Sequence, residues 1–261
     1  MATQSIALAP QKLGAGYYAR VFRKETQYEF VRMLRTRAFS FSVVGFPVMF
    51  FLLFGVTNRA SGYGQYLVPA YSCMGVGFAC LFGIGVSVGL DRTQGWLEVK
   101  QASPMPRFLY LAAKVMGCAT FALIIVGLLV LLGVTLGGVT VTALQVLELC
   151  GVIVAASIPF TAMALLVALL VPPNSGPGLI NLIYMPMSFA SGFFMPIQYL
   201  PHWLRSVAPA LPTYHLAQLA LNIFGFAGQG SMLVHWEALA GFTLLMLGAV
   251  WILFRRSEAK A

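Results

Sequence analysis

Apolar runs about as long as a bilayer is thick recur along this chain. They cover residues 38–56, 66–90, 109–136, 144–171, 179–195 and 238–254. About 20 consecutive apolar residues cross ~30 Å of hydrocarbon as a helix, and a helix satisfies its backbone polar groups internally, as lipid requires. Six such runs take up most of the 261 residues and leave no length for a soluble catalytic domain. The runs are continuously apolar rather than alternating, which argues against a membrane β-barrel. The expected fold is therefore all-α, a polytopic membrane protein with six transmembrane helices. Composition agrees, with 59% hydrophobic and only 9% charged residues. A soluble domain carries about a quarter charged residues and needs them to face water. An ordinary soluble enzyme, a disordered chain and a disulfide scaffold are thereby excluded.

A net charge of +9 is compatible with nucleic-acid binding, so the positions of the charges must decide. Lys12, Arg20, Arg23, Lys24, Arg32, Arg35 and Arg37 precede the first run. Arg92, Lys100, Arg107 and Lys114 fall between the second and third, and Arg255, Arg256 and Lys260 follow the last. Of the 16 basic residues only Arg59 and Arg205 fall on the other side. The positive-inside rule then places both termini in the cytoplasm, and six crossings return the chain to its starting side. The charge reads as a topology signal and headgroup anchor; its partner is membrane lipid, not nucleic acid. The first thirty residues lack the apolar core of a signal peptide, so the first span is expected to act as the insertion signal. The chain divides into a cytoplasmic tail and interfacial helix (1–37), a six-span domain (38–254) and a cytoplasmic tail (255–261).

Three connecting segments carry information. In 17–37, Tyr18, Val21, Phe22, Tyr28, Val31 and Leu34 recur at helical spacing, with Arg20, Arg23, Lys24, Arg32 and Arg35 between them. This predicts an amphipathic helix in the cytoplasmic interface, apolar face in the acyl boundary. The connection 91–107, DRTQGWLEVKQASPMPR, is the most polar internal stretch. Asp91 or Thr93 can cap a helix start, and Ser103-Pro104 and Met105-Pro106 end it. A short helix that mixes Trp96, Leu97 and Val99 with Arg92, Glu98 and Lys100 suits docking to a cytosolic partner. The stretch 196–235 is too long for a turn and contains Pro196, Pro201, Pro209 and Pro212. It is expected to form one or two short external re-entrant or interfacial helices, a candidate lid over a transport path. The uncharged PPNSGPG at 172–178 reads as a tight turn.

Enzymatic chemistry finds little support. The phosphate-cradling GxxxxGK[ST] loop is absent, because no Gly-Lys pair occurs. Ser188-Phe189-Ala190-Ser191-Gly192 is superficially similar to the nucleophile site of rhomboid proteases, but Phe189 replaces the required Gly. His202, His215 and His235 all fall in or beside the external stretch, so no base is expected at mid-span. Cys73, Cys80, Cys118 and Cys150 form no CxxC pair and read as free apolar thiols. Gly85-xxx-Gly89 and Gly133-xxx-Gly137 match the small-residue packing pattern, and Pro47, Pro159 and Pro186 should kink their spans. Glu148 is the only acid near membrane depth. Candidate pathway residues are Phe46, Phe50, Phe78, Phe82, Asn181, Met185 and Phe189, a mixture of aromatics, Met and one amide that suits an apolar or amphipathic cargo.

Two blocks of residues carry a family resemblance. The first is Asp91-Arg92-Thr93-Gln94-Gly95-Trp96-Leu97, then Ala102-Ser103-Pro104-Met105-Pro106 and Lys114. The second is Ser191-Gly192-Phe193-Phe194-Met195-Pro196, then Leu200-Pro201-x-Trp203-Leu204 and Leu211-Pro212-Thr213-Tyr214-His215. In this order on six spans they resemble bacterial ABC-2-type transporter permeases over nearly the whole chain, with Asp91 in place of the commoner Glu. The resemblance implies an ABC exporter in the bacterial cytoplasmic membrane, built from two permease subunits, as a homo- or heterodimer, and two ATPase subunits. Asp91, Arg92, Gly95, Trp96, Leu97 and Glu98 would then belong to the coupling helix that meets the ATPase. ATP and Mg²⁺ would bind that partner, and this chain would carry no cofactor. The competing expectation is a secondary transporter or channel without an ATPase.

Overall fold

The computed structural model describes residues 14–95, 106–172, 175–226 and 231–258. All regular structure among them is helical. Helix α1 spans Ala15–Arg35 and α2 spans Arg37–Phe50. The hinge between them is held locally: the Thr36 hydroxyl donates to Arg32 O and the Ser40 hydroxyl to Met33 O. After Pro47 the coil of α2 widens to π geometry over Phe51–Val56. Proline lacks the N–H and crowds the carbonyl four residues back, a usual cause of such widening.

Helix α3, Tyr63–Thr93, is the centre of the bundle, with 94% of its apolar window buried. It packs chiefly against α4, Arg107–Thr135, and α5, Ala143–Leu170. A capping box starts α5: the Thr142 hydroxyl accepts from Gln145 N–H, and the Gln145 side chain accepts from Thr142 N–H. Helix α6, Gly176–Ala190, lies against α3. The short helices α7, His202–Val207, and α8, Pro212–Ile223, alternate with 3-10 turns, and α9, Met232–Glu258, closes the bundle against α5 and α8.

Among the described residues, five helices are long and apolar enough to cross a membrane, over Phe39–Val56, Tyr63–Gly89, Phe108–Thr135, Ala143–Leu170 and Met232–Leu253. The outer windows are open, 11% buried in α9 and 22% in α2. Phe41, Leu53, Leu144, Leu147, Leu244 and Leu245 are exposed there and on α5. Water would not tolerate so much exposed hydrocarbon, whereas lipid is its natural solvent.

Four expectations change. The fifth run is helical only to Ala190, because Gly192 turns left-handed at φ +87 and breaks the coil before Pro196. Fifteen residues rise about 22 Å, short of a full crossing. Asp91 and Thr93 do not cap a new helix: α3 continues through both. The last helix begins at Met232, so His235 lies within it; His235 and Glu237 had lowered the apparent hydropathy of its first turns. The Tyr28, Val31 and Leu34 face of α1 is exposed, but the helix does not rest on lipid alone, because Glu29 and Met33 are buried against the bundle.

The 196–235 stretch contains short helices, and its prolines start them. Pro196 and Pro201 occupy N-cap positions, while Pro209 and Pro212 sit in first turns, where no backbone N–H is needed. It is tied to the start of α3, where the Tyr63 and Tyr66 hydroxyls donate to Phe194 O and Gly192 O. Gly85, Gly133 and Gly137 pack within the chain, Gly85 facing Ile180, Gly133 facing Val68 and Gly137 facing Phe51.

Candidate functional site

At the C-terminal end of α3, three helices bring ionisable side chains together. Helix α1 supplies Glu29 and Arg32, α3 supplies Ser87 and Asp91, and α4 supplies Tyr110 and Lys114. The Lys114 ammonium donates to Glu29 Oε1 at 2.8 Å and to Ser87 Oγ at 3.2 Å. It also lies 3.5 Å from Asp91 Oδ2 and 5.0 Å from the centre of the Tyr110 ring. Arg32 Nη1 donates to Asp91 Oδ1 at 2.8 Å, and the Tyr110 hydroxyl donates to Asp91 Oδ2 at 3.0 Å. Among the described residues two acids and two cations balance, as burial of charge favours.

Burial alone would raise the Asp91 pKa; the Lys114 and Arg32 charges outweigh it and hold the carboxyl below its usual value. Burial likewise opposes the Arg32 charge, but Asp91 prevails and keeps the guanidinium cationic. A carboxylate with a lowered folded pKa contributes stability that is complete above its unfolded pKa and lost as pH falls through the folded one. Asp91→Asn should therefore lower the melting temperature of the purified protein at pH 7. The gap to wild type should narrow as pH drops below about 4. A gap of the same size at both pH values would refute the assignment.

The cluster stands at both roots of the polar connection. Asp91 is in the last turn of α3, and Tyr110 and Lys114 are in the first turns of α4. Gly95, at φ +72, stops α3 two residues past Thr93, in a conformation that costs other residues about 1–2 kcal/mol. Arg92 lies in the last turn of α3. Trp96, Leu97 and Glu98, with the short helix expected around them, lie outside the described residues.

Above the cluster is a cavity of about 520 Å³ between α1, α2, α3 and α6. Phe46, Phe78, Phe82, Asn181 and Met185 line it, with Glu29 and Arg32 at its charged end. Phe50 and Phe189 are not in the wall. Phe50 packs on Phe46 at 4.8 Å and on Phe194 at 5.3 Å, and Phe189 stacks on Phe194 at 4.1 Å. The aromatic column thus runs from the cavity toward the start of α3, with Phe194 as a link absent from the candidate set. Glu29, Ser87 and Tyr110 were not candidates either; the one signal was Glu29 at i, i+4 from Met33, two residues that share a face of α1.

At the opposite end a second cavity, about 850 Å³, lies between the start of α3, the 191–199 segment and α8. Tyr63, Tyr66, Arg205, Tyr214 and Gln218 border it. Nearby, His215 and His235 join Nδ1 to Nδ1 at 2.9 Å, and His215 Nε2 bonds Pro209 O at 2.9 Å. Glu148 is exposed on the second turn of α5.

Long apolar helices, a hydrocarbon exterior and an internal cavity define a polytopic helical membrane protein. Residues 21–224 match the family model described as ABC-2 type transporter, and the chain belongs to that family. It is similar to "Putative transport permease YvfS" of Bacillus subtilis (strain 168), with 24% identity over 211 residues, covering 78% of this chain and 85% of that protein. This is a membrane transport permease.

Proposed function

We propose that this chain is the transmembrane subunit of an ATP-driven exporter, moving an amphipathic cargo out across the bacterial cytoplasmic membrane. A separate ATPase would supply the energy and hold ATP and Mg²⁺, since the chain has no Gly-Lys pair on which to build a phosphate loop. A second permease subunit would complete the pathway. Helix α6 with the segment after it would make the sixth crossing, leaving both termini cytoplasmic in accord with the basic residues. The exposed face of α1, Tyr28, Val31 and Leu34, would rest in the inner interface.

The observation that carries this reading is the charge cluster at both roots of the 96–105 connection, directly below the cavity. A push on that connection reaches Asp91 in α3 and Tyr110 and Lys114 in α4, and through them Glu29 and Arg32 in α1. Displacing α3 against α6 would change the cavity wall that Phe78 and Phe82 form with Asn181 and Met185. Deleting residues 93–101, or Glu98→Arg, is expected to abolish cargo transport and cargo-stimulated ATP hydrolysis while membrane insertion stays normal. Unchanged transport would overturn the coupling role. Transport by the purified chain alone, driven by an ion gradient, would overturn the ATPase requirement.

A further inference from the structure

We infer that the cavity selects amphiphiles with an anionic headgroup, seated on Arg32, with the apolar chain against Phe46, Phe78, Phe82 and Met185. The inference rests on the amphipathic-cargo reading above and adds the charge of the cargo. A volume of about 520 Å³ falls among small-molecule sites. Its walls are apolar along α2, α3 and α6, and its polar end is at α1.

Among the described residues, Glu29 and Arg32 are the charged side chains that line it. They are not equally available. Glu29 is 4% exposed and turned to Lys114, whereas Arg32 keeps 26% of its side chain open. Arg32 Nη1 bonds Asp91, but the guanidinium fork has further N–H donors. Asp91 is itself shared with Lys114 and Tyr110, so the Arg32 pair is not a closed bidentate one. The described residues of the cluster sum to neutral, so selection comes from these donors and not from their net charge. A carboxylate, sulfonate or phosphate matches the planar fork and receives charge-assisted bonds, strengthened by the apolar walls. A neutral headgroup forgoes that strength. A cationic one meets the guanidinium and finds Glu29 already taken.

The test uses the full-length chain in phosphatidylcholine nanodiscs with three photoreactive probes. They share one hexadecyl diazirine chain and end in sulfonate, hydroxyl or trimethylammonium. Peptide mapping should show the sulfonate probe labelling 78–82 and 181–185 about tenfold more than the hydroxyl probe, with the ammonium probe lowest. Arg32→Gln should erase the preference. Because that change also disturbs Asp91, Asn181→Asp serves as an independent variant: it leaves the cluster intact, places a negative charge in the wall and should also suppress the sulfonate signal. Equal labelling by all three probes, or preference for the ammonium, would overturn the anion selectivity and leave the amphipathic cargo standing. No labelling of the cavity by any probe would overturn both.

Discussion

Replacing Lys114 by Met is expected to destabilise the protein by about 3–5 kcal/mol. The ammonium is 1% exposed and its principal partner, Glu29, is 4% exposed. Without Lys114 the Glu29 carboxylate stays largely buried with its 2.8 Å partner gone. Asp91 fares better, because Arg32 and Tyr110 still hold it. The loss should therefore come mainly from one stranded acid. Glu29→Met combined with Lys114→Met should recover most of it, since replacing a buried pair by apolar groups of similar volume is often near neutral. Thermal and denaturant unfolding of the four proteins of this double-mutant cycle measures the effect. A Lys114→Met protein within about 1 kcal/mol of wild type would show that the pair is not a closed, water-free one.

Gly77→Val is expected to be the other severe change. A Cβ at Gly77 would overlap the Tyr184 hydroxyl and ring. Tyr184 is fully buried, and its hydroxyl donates to Met74 O at 2.9 Å. The ring is enclosed by the core, so relieving the overlap would require α3 and α6 to part. Overpacking of this kind costs about 1–3 kcal/mol, and more when backbone must move. The displaced helix carries Asn181 and Met185, so the cavity should deform as well. Gly241→Val in α9 is the control, because nothing lies within 4 Å of the Cβ position there. Melting temperature and probe labelling at 181–185 should both fall for Gly77→Val and hold for Gly241→Val. Parallel behaviour of the two variants would refute the close α3–α6 contact.

Much of the fold was legible because its signals are local. The continuous apolar runs at 66–90, 109–136 and 144–171 match α3, α4 and α5 to within a few residues at each end. Prolines at 196, 201, 209 and 212 read as interruptions of the stretch, and they open its short helices instead, since a missing N–H is harmless in a first turn. The fifth run misled because a left-handed turn at Gly192 leaves the apolar pattern unbroken while ending the helix.

Phe46, Phe78, Phe82, Asn181 and Met185, aromatic, Met and amide side chains from different spans, line one cavity. The charge cluster was not legible in the same way. Lys114 pairs with Glu29 across 85 positions and Arg32 with Asp91 across 59. In the sequence, Arg32 counts only as one more inner basic residue, and Glu29 as a break in an amphipathic pattern. Span positions and the basic bias come from the sequence alone, because hydropathy and charge act over one helix length. Which acid meets which base, and which of them is left facing the cavity, was decided only by the packing of α1 and α4 against α3, because burial turns two separate charges into obligatory partners.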